Sequence, residues 1–270
     1  MRYRAAVIAC VVVATMVGLA WGIPWALAAD PAEEYTRRVQ EIVAEYGARP
    51  PMQWGEQVPG VKTRLATSRP VIALTFDACG SEGDGYDAKL INYLKQEKIP
   101  ATLFISGRWI DKHPAAFRRL TRDPLFEIEN HGLMHRPCSV TGASAYGIPG
   151  TADAGEVVEE IEKNAIKIET LTGRRPLLYR SGTAYYDDVG VAIATQLGYR
   201  VVGFSVLGDA GATYPAEKVA AAIEGAAPGA IVVCHMNHPE GATAEGVIAA
   251  IPVLKKRGFS FAKVSSYELE

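Results

Sequence analysis

From residue 71 onward, apolar and polar positions follow two alternating patterns. Short apolar runs typical of strands are separated by longer stretches with apolar positions three or four apart, which are typical of helices. The runs that predict strands are 71–76, 101–106, 126–130, 177–180, 200–206, 230–235 and 259–264. The stretches that predict helices are about 87–95, 115–121, 155–171, 189–197, 216–226 and 244–256.

Strands that alternate with helices indicate βαβ units and parallel pairing. About seven such strands fit either an open doubly wound sheet or a distorted, incomplete (β/α) barrel, and both folds bind ligands at the carboxyl ends of their strands. The connection after the first strand is rich in glycine, but it also carries Glu82 and Asp84, which would repel a phosphate. We therefore expect an α/β fold of the distorted barrel type.

Residues 1–29 have a different composition. Arg2 and Arg4 precede an apolar stretch, and Ala26-Leu27-Ala28 matches the small-x-small pattern of a signal-peptidase site. The stretch is also long enough to span a bilayer. We expect either a signal peptide or an uncleaved N-terminal membrane anchor, and in both cases an exported protein.

Residues 30–69 are expected to form one helix that ends near Gly47 and then an irregular lead-in. The domain that contains these strands and helices is expected to span residues 70–268. The chain has 270 residues, a formal net charge of -2 and no long basic run, so nothing indicates nucleic-acid binding.

Three cysteines follow the N-terminal segment: Cys79, Cys138 and Cys234. An odd number in an oxidising compartment leaves at least one thiol unpaired within the chain. Cys234 lies inside an apolar run, so we expect it to pack in the core. For Cys79 and Cys138, a disulfide, a metal ligand and core packing all remain open.

Several chemically active side chains lie at or just after the ends of separate predicted strands. They are Asp77, His131, His135, Arg180, Asp209 and His235. Because the carboxyl ends of parallel strands meet at one edge, we expect these side chains to share one site. If residues 131–135 are helical, the two imidazoles lie on one face, with Cβ atoms about 5–6 Å apart, and both reach one divalent cation.

This set contains what metal-assisted hydrolysis requires: two imidazoles for a cation, a carboxylate base and a further histidine as acid. Arg180 beside Asp77 would hold the carboxylate and lower its pKa. The alternative is that Asp77 and Arg180 form a structural ion pair that closes the top of the barrel.

Four motifs resemble those of the NodB-homology polysaccharide deacetylases, which form carbohydrate esterase family four. They are Thr75-Phe-Asp77, His131-x-x-x-His135, Arg180 and Ile231-Val-Val-Cys-His235, in the same order and with similar spacing. The resemblance covers about residues 70–268. It implies a distorted (β/α) barrel that removes N-acetyl groups from amino sugars of a peptidoglycan or chitin-like polysaccharide, usually with a divalent metal, here expected to be zinc.

The resemblance also implies a role for each matching residue. Asp77 matches the general base, and Arg180 matches the arginine that tethers it. His131 and His135 match metal ligands, and His235 matches the general acid. Asp209 is expected to orient His235, although residues 207–211 lack the family's usual pattern. His238 has no family role and is either a ligand or a loop residue.

Ala78 stands where the family usually has an aspartate that completes the metal site. The metal would then have two protein ligands plus waters, or it would recruit another group such as Cys79 or Asp84. The segment after Arg180 also lacks the family's Pro-rich pattern. These departures leave two alternatives open: a catalytically silent polysaccharide-binding protein, and a hydrolase of another amide or ester.

Aromatic side chains outside the strands either stack on sugar rings or pack in the core. The residues in question are Trp54, Trp109, Tyr146, Tyr185 and Tyr186.

Overall fold

The computed structural model describes residues 31–270. The signal peptide or membrane anchor predicted for residues 1–29 lies outside this range. Within it, no helix combines the length and the apolar character needed to cross a bilayer.

Helices and short strands alternate along the chain. The first half contains α1 (Pro31–Tyr46), β1 (Trp54–Gly55), β2 (Val71–Ala78), α2 (Ala88–Gln96), β3 (Ala101–Ile105), α3 (Gly107–Lys112), α4 (Pro114–Leu120), β4 (Phe126–Asn130) and α5 (Ala154–Thr172). The second half contains β5 (Leu178–Tyr179), β6 (Tyr186–Asp187), α6 (Asp188–Gln196), β7 (Arg200–Val201), β8 (Val206–Leu207), α7 (Ala216–Glu224), β9 (Ile231–His235), α8 (Thr243–Lys256) and β10 (Ser260–Phe261).

Seven parallel strands form one continuous sheet in the order β7-β5-β4-β3-β2-β9-β8, and β10 pairs in parallel with the start of β2. The two end strands, β7 and β8, are joined by residues 202–205 alone. Because so short a link spans at most about 18 Å, the sheet must curl until its two ends face each other. Among the described residues β7 and β8 are not hydrogen-bonded to each other. The fold is the distorted, incomplete (β/α) barrel that the sequence predicts.

β2 shows how the sheet positions its side chains. Ile72 and Phe76 pack in the core between the sheet and the helices, whereas Val71 and Ala73 pack inside the barrel. Since successive strand residues point to opposite faces, Asp77 lies on the inner side, at the carboxyl end of the strand. The same alternation in β9 places His235 on the inner side.

Two helix boundaries follow the signals in the sequence. The Asp87 carboxylate accepts a hydrogen bond from the Leu90 backbone amide and caps α2, a role that aspartate commonly has at a helix start. Helix α5 ends at Gly173, which has φ 72°, a left-handed conformation that glycine adopts without strain.

The strand predicted over residues 200–206 is wrong, because it is divided into β7 and β8 at opposite ends of the sheet. The carbonyls of Val202 and Gly203, between them, accept hydrogen bonds from the Arg180 guanidinium at 3.2 and 2.9 Å. The strand predicted over 259–264 is shorter than expected, because the Val264 amide donates to the Thr102 hydroxyl instead of to a strand.

Residues 50–69 are less irregular than expected. β1 pairs antiparallel with β6, and Leu65 is fully buried inside the barrel. Helix α1 packs Ile42 and Tyr46 against the cluster that contains α5 and α6, and the Tyr46 hydroxyl donates to Gln196 at 2.6 Å. The segment that precedes the barrel is therefore packed against it.

Candidate active site

A pocket of about 440 Å³ opens at the carboxyl ends of β2 and β9. Asp77, His131, His135 and His235 line it. The other two residues predicted for the site, Arg180 and Asp209, are fully buried and contact the pocket residues from below. The structure thus brings all six predicted side chains together.

Asp77 is buried and paired with Arg180. The Arg180 Nη1 donates to Asp77 Oδ1 at 2.7 Å and also lies 2.8 Å from the Thr75 hydroxyl. The guanidinium plane stacks over the Phe104 ring, with Cζ 4.2 Å from the ring centroid. With its other nitrogens bound to backbone carbonyls, Arg180 has one fixed position and fixes the carboxylate with it.

His131 presents one ring nitrogen to the pocket. Its Nδ1 lies 2.9 Å from the Arg180 backbone carbonyl, which can only accept, so Nδ1 carries the proton. Nε2 then holds a lone pair; it is buried, 3.7 Å from Asp77 Oδ2, and without a hydrogen-bond partner among residues 31–270. Burial lowers the pKa of His131, which favours the neutral ring that a metal ion requires.

His135 reaches the same place from a loop, so the helical condition considered for residues 131–135 is not met, yet the two imidazoles still lie together. His135 has φ 60°, and its ring centroid lies 4.8 Å from that of His131. A methyl group on Gly182 would overlap the His135 backbone, so this close approach requires glycine. Burial holds the pKa of His135 well below its usual value, and its Nδ1 has no partner in the described part of the chain.

The loop that carries both histidines is built on Glu160 of α5, a residue that the sequence analysis missed. This buried carboxylate accepts hydrogen bonds from the backbone amides of Met134 and Arg136 at 2.9 and 3.0 Å. The Glu160 carbonyl accepts a further bond from the Leu133 amide. A buried glutamate on an otherwise amphipathic helix gives no signal in the sequence until its partners are known.

We predict that Glu160→Gln weakens metal binding and activity by about 10- to 100-fold, as is typical when a group that orients metal ligands is changed. Even if the glutamine oxygen keeps the two bonds that Oε1 accepts now, its NH₂ would face the Met134 N–H that also donates to Oε2. Metal affinity and acetate release measure the effect. The neighbouring Glu159→Gln is the matched control, because Glu159 is exposed and forms an ion pair with Lys163. Equal losses in the two variants would contradict the role of Glu160.

Cys79 is the third donor beside the two imidazoles. Its Sγ and the ligand atoms of His131 and His135 all lie within 4.8 Å of one another, and all three residues are buried. Burial raises the pKa of the thiol, and the nearby His235 side chain acts in the opposite direction. The three cysteines of the described chain are free thiols, and Cys138 and Cys234 pack in separate parts of the core.

Ala78 and Asp84 do not join this group. Ala78 packs in the helix-side core. One Asp84 oxygen accepts from the Ser81 amide at 2.7 Å, and the other lies 3.6 Å from Nε2 of His238, whose Nδ1 is bound to Glu240. His238 thus belongs to a polar group at the rim of the pocket.

His235 is held by Asp209. Its Nδ1 lies 2.8 Å from Asp209 Oδ1, while Asp209 Oδ2 accepts from the His235 backbone amide and from the Thr243 hydroxyl. Burial works against a charged ring, but the Asp209 carboxylate outweighs it and raises the pKa of His235 well above its usual value near 6.5. This shift favours the imidazolium form of the His235 ring, which lines the pocket.

The aromatic residues divide into two groups. Trp109 and Tyr186 are fully buried and belong to the core. Tyr185 contacts Trp54 and Tyr146, with ring centroids 5.7 and 5.5 Å apart, and Tyr146 is 75% exposed at the rim of the pocket. These three rings form one aromatic cluster, and its Tyr146 ring lines the pocket.

The polysaccharide deacetylase family matches residues 64–202, just over half of the chain. A peptidoglycan-N-acetylmuramic acid deacetylase of Bacillus subtilis is 26% identical over 76% of this chain and 73% of its own. A peptidoglycan-N-acetylglucosamine deacetylase of Bacillus cereus is 25% identical over 76% of this chain and 91% of its own.

Among solved structures, a CE4 family pseudoenzyme from Bacillus anthracis superposes with a TM-score of 0.65. It is 21% identical and covers 78% of this chain and 69% of its own, a likeness that concerns the fold. The family match, the barrel and the strand-end motifs agree, and this chain belongs to the polysaccharide deacetylase family of hydrolases.

Proposed function

We propose that this protein hydrolyses the N-acetyl amide of amino sugars in a cell-wall polysaccharide, peptidoglycan or a chitin-like polymer. One observation carries the proposal: a carboxylate fixed by Arg180 and an imidazolium fixed by Asp209 face the same pocket. These are the base and the acid that amide hydrolysis requires.

Asp77 acts as the general base. Arg180 donates to Oδ1 only, which leaves Oδ2 to accept a proton from the attacking water. The carboxylate cannot turn away, because Arg180 is itself held by Thr75 and by two backbone carbonyls. A base held in one position avoids the cost of finding that position during the reaction.

His235 acts as the general acid. Its Nδ1 proton is committed to Asp209, so Nε2–H is the proton that passes to the departing amine of the sugar. Without that proton the amine would leave as a strongly basic anion, so this transfer makes breaking the C–N bond possible.

His131 and His135 fit a divalent cation, which we propose to be zinc. His131 Nε2 and His135 Nδ1 are buried polar atoms for which the described chain offers no hydrogen-bond partner. Such atoms cost about 1–3 kcal/mol each unless something binds them. A divalent ion bound there would lower the pKa of a water molecule bound to it and would polarise the amide carbonyl.

The proposed location is outside the cytoplasm, at the cell wall. It is supported by the apolar segment that follows Arg2 and Arg4 and by the names of the two peptidoglycan deacetylases that the chain resembles. The partner of the site is then a polysaccharide, and the rings of Trp54, Tyr146 and Tyr185 provide a surface for neighbouring sugars.

We predict that Asp209→Asn moves the alkaline limb of the pH–rate profile to lower pH. Activity needs protonated His235, so the rate falls as pH rises through the pKa of His235, which the Asp209 carboxylate raises. Asparagine removes that charge, and the pKa falls. Thr243→Ala removes one hydrogen bond to Asp209 but keeps the charge, so a shift as large as that of Asp209→Asn would contradict this assignment.

The test of the function is acetate release from peptidoglycan and from chitin oligomers, with the mass of the sugar product as the second readout. We expect one acetate for each acetyl group lost from the glycan. Intact glycans after incubation with the metal-loaded protein would reject the proposal.

A second candidate function is polysaccharide binding without turnover. It is favoured by Ala78, which offers no donor where the family usually has a metal-binding aspartate. Retention of acetylated glycan in a pull-down, together with no acetate release under any added divalent metal, would select this alternative.

A further inference from the structure

We propose that Cys79 is the third protein ligand of the metal centre, so that the site is Cys-His-His in place of the expected carboxylate with two histidines. The inference deepens the proposed function, because it names the ligand that replaces the missing aspartate. It concerns binding of the metal, however, and is measured without turnover.

The alternation of side chains along β2 explains why residue 79, and not residue 78, provides the donor atom. Ala78 is the last residue of β2 and packs in the helix-side core. Because side chains alternate between faces, residue 79 returns to the side of Asp77. A cysteine at this position reaches the pocket from the end of β2.

The backbone that carries Cys79 is fixed. Its carbonyl accepts a hydrogen bond from the Ser106 hydroxyl at 2.6 Å. The next residue, Gly80, has φ 79°, and a methyl group there would overlap the backbone at Trp109. The chain therefore turns immediately after Cys79, and the thiol has little freedom to leave the pocket.

The distances suit one small cation. In a tetrahedral zinc centre, bond lengths of about 2.0–2.3 Å place the donor atoms about 3.3–3.6 Å apart. The donors of Cys79, His131 and His135 already lie within 4.8 Å of one another. Shifts of about 1 Å complete the centre, and the binding ion would satisfy the two unpartnered imidazole nitrogens.

Another role for Cys79 is as a nucleophile, since its thiol and the His235 side chain line the same pocket. In that reaction Sγ attacks the acetyl carbon, the amine leaves with a proton, and water then hydrolyses the thioester. This role would leave the two buried imidazole nitrogens without a function. A metal-ligand role explains why they are buried without hydrogen-bond partners in the described chain. The observations favour the ligand.

A thiolate changes which metal the site selects. Thiolate donors favour zinc and other soft ions, whereas magnesium, calcium and manganese favour oxygen donors. We therefore expect zinc to remain bound in an excess of magnesium or manganese.

The experiment uses the purified mature protein loaded with cobalt(II) as a spectroscopic substitute for zinc. We expect one cobalt per chain and an intense thiolate-to-cobalt charge-transfer band in the near ultraviolet. Cys79→Ser should abolish the band and weaken zinc binding at least tenfold, since even changes behind the ligands cost about 10- to 100-fold. Cys79→Asp should bind metal without the band.

Cys234→Ala is the matched control, because Cys234 is a buried thiol that packs in the core, and it should keep the band. A band that survives in Cys79→Ser, or cobalt bound to the wild type without a band, would overturn the proposal. So would an acetylated Cys79 found by mass spectrometry in a metal-free, active protein. A band without acetate release would instead reject the deacetylase function and leave Cys79 as a ligand.

Discussion

Replacing Asp77 with asparagine is expected to lower kcat for acetate release by about 10²- to 10⁴-fold, the usual contribution of a general base. Asparagine has nearly the shape of aspartate and still accepts a hydrogen bond from Arg180, but it cannot take a proton from water. Glycan binding should change much less than kcat, because the neutral amide fills the same space. Acetate release at saturating glycan, with a separate binding measurement, checks both statements.

The matched control is Asp111→Asn, because Asp111 is an exposed carboxylate on α3 whose partner is Lys167. Circular dichroism must show that the Asp77 variant is folded, since asparagine leaves the Arg180 charge without its counterion. A folded Asp77→Asn protein with unchanged kcat would show that Asp77 is only half of a structural ion pair.

Arg180→Met is expected to reduce the free energy of unfolding by about 3–5 kcal/mol, the usual cost when one partner of a buried ion pair is removed. Methionine fills much of the volume but leaves the Asp77 carboxylate buried without its cation. It also leaves the Gly203 carbonyl without its Arg180 donor and the Val202 carbonyl with only a 3.4 Å bond from the Tyr186 hydroxyl. Urea denaturation measures the change.

Two comparisons distinguish the loss of the ion pair from the loss of packing as the cause of the reduced stability. Asp77→Asn combined with Arg180→Met should recover part of the lost stability, because neither charge is then left alone. Arg37→Met removes an exposed arginine that pairs with two glutamates on α1, and it should cost less than about 1 kcal/mol. Equal losses for Arg37→Met and Arg180→Met would contradict the account of the buried pair.

Local patterns in the sequence predicted the residues that strands place directly. Asp77 and His235 end apolar runs, and alternation along β2 and β9 brings both to the inner side of the barrel. Arg180 follows β5 in the same way. For these residues the position in a strand determines the position in the site, so the periodicity of the sequence was sufficient.

The features that the sequence did not predict depend on contacts between residues far apart in the chain. His135 reaches the pocket through a left-handed loop residue, and Glu160, some way along the chain, holds that loop. The strand predicted over 200–206 is interrupted because Arg180 binds the Val202 and Gly203 carbonyls. No local pattern contains such information.

The sequence alone also could not decide whether Cys79 or Asp84 replaces the missing donor. Both follow β2 closely, and either is a plausible ligand by composition. The chain turns at Gly80 and again at Gly83, and the two residues end in different surroundings. The Cys79 sulfur lies beside the two imidazoles, whereas an Asp84 oxygen accepts from the Ser81 amide.

The most direct measurement compares acetate release by the metal-loaded wild type, Asp77→Asn and His235→Gln on one N-acetylated glycan, with His113→Gln as a control outside the pocket. We predict turnover by the wild type and the control, and rates at least about 100-fold lower for the other two, since each removes one proton-transfer group. Acetate released at the wild-type rate by folded Asp77→Asn and His235→Gln proteins would contradict the claim that this carboxylate and this imidazolium perform the hydrolysis.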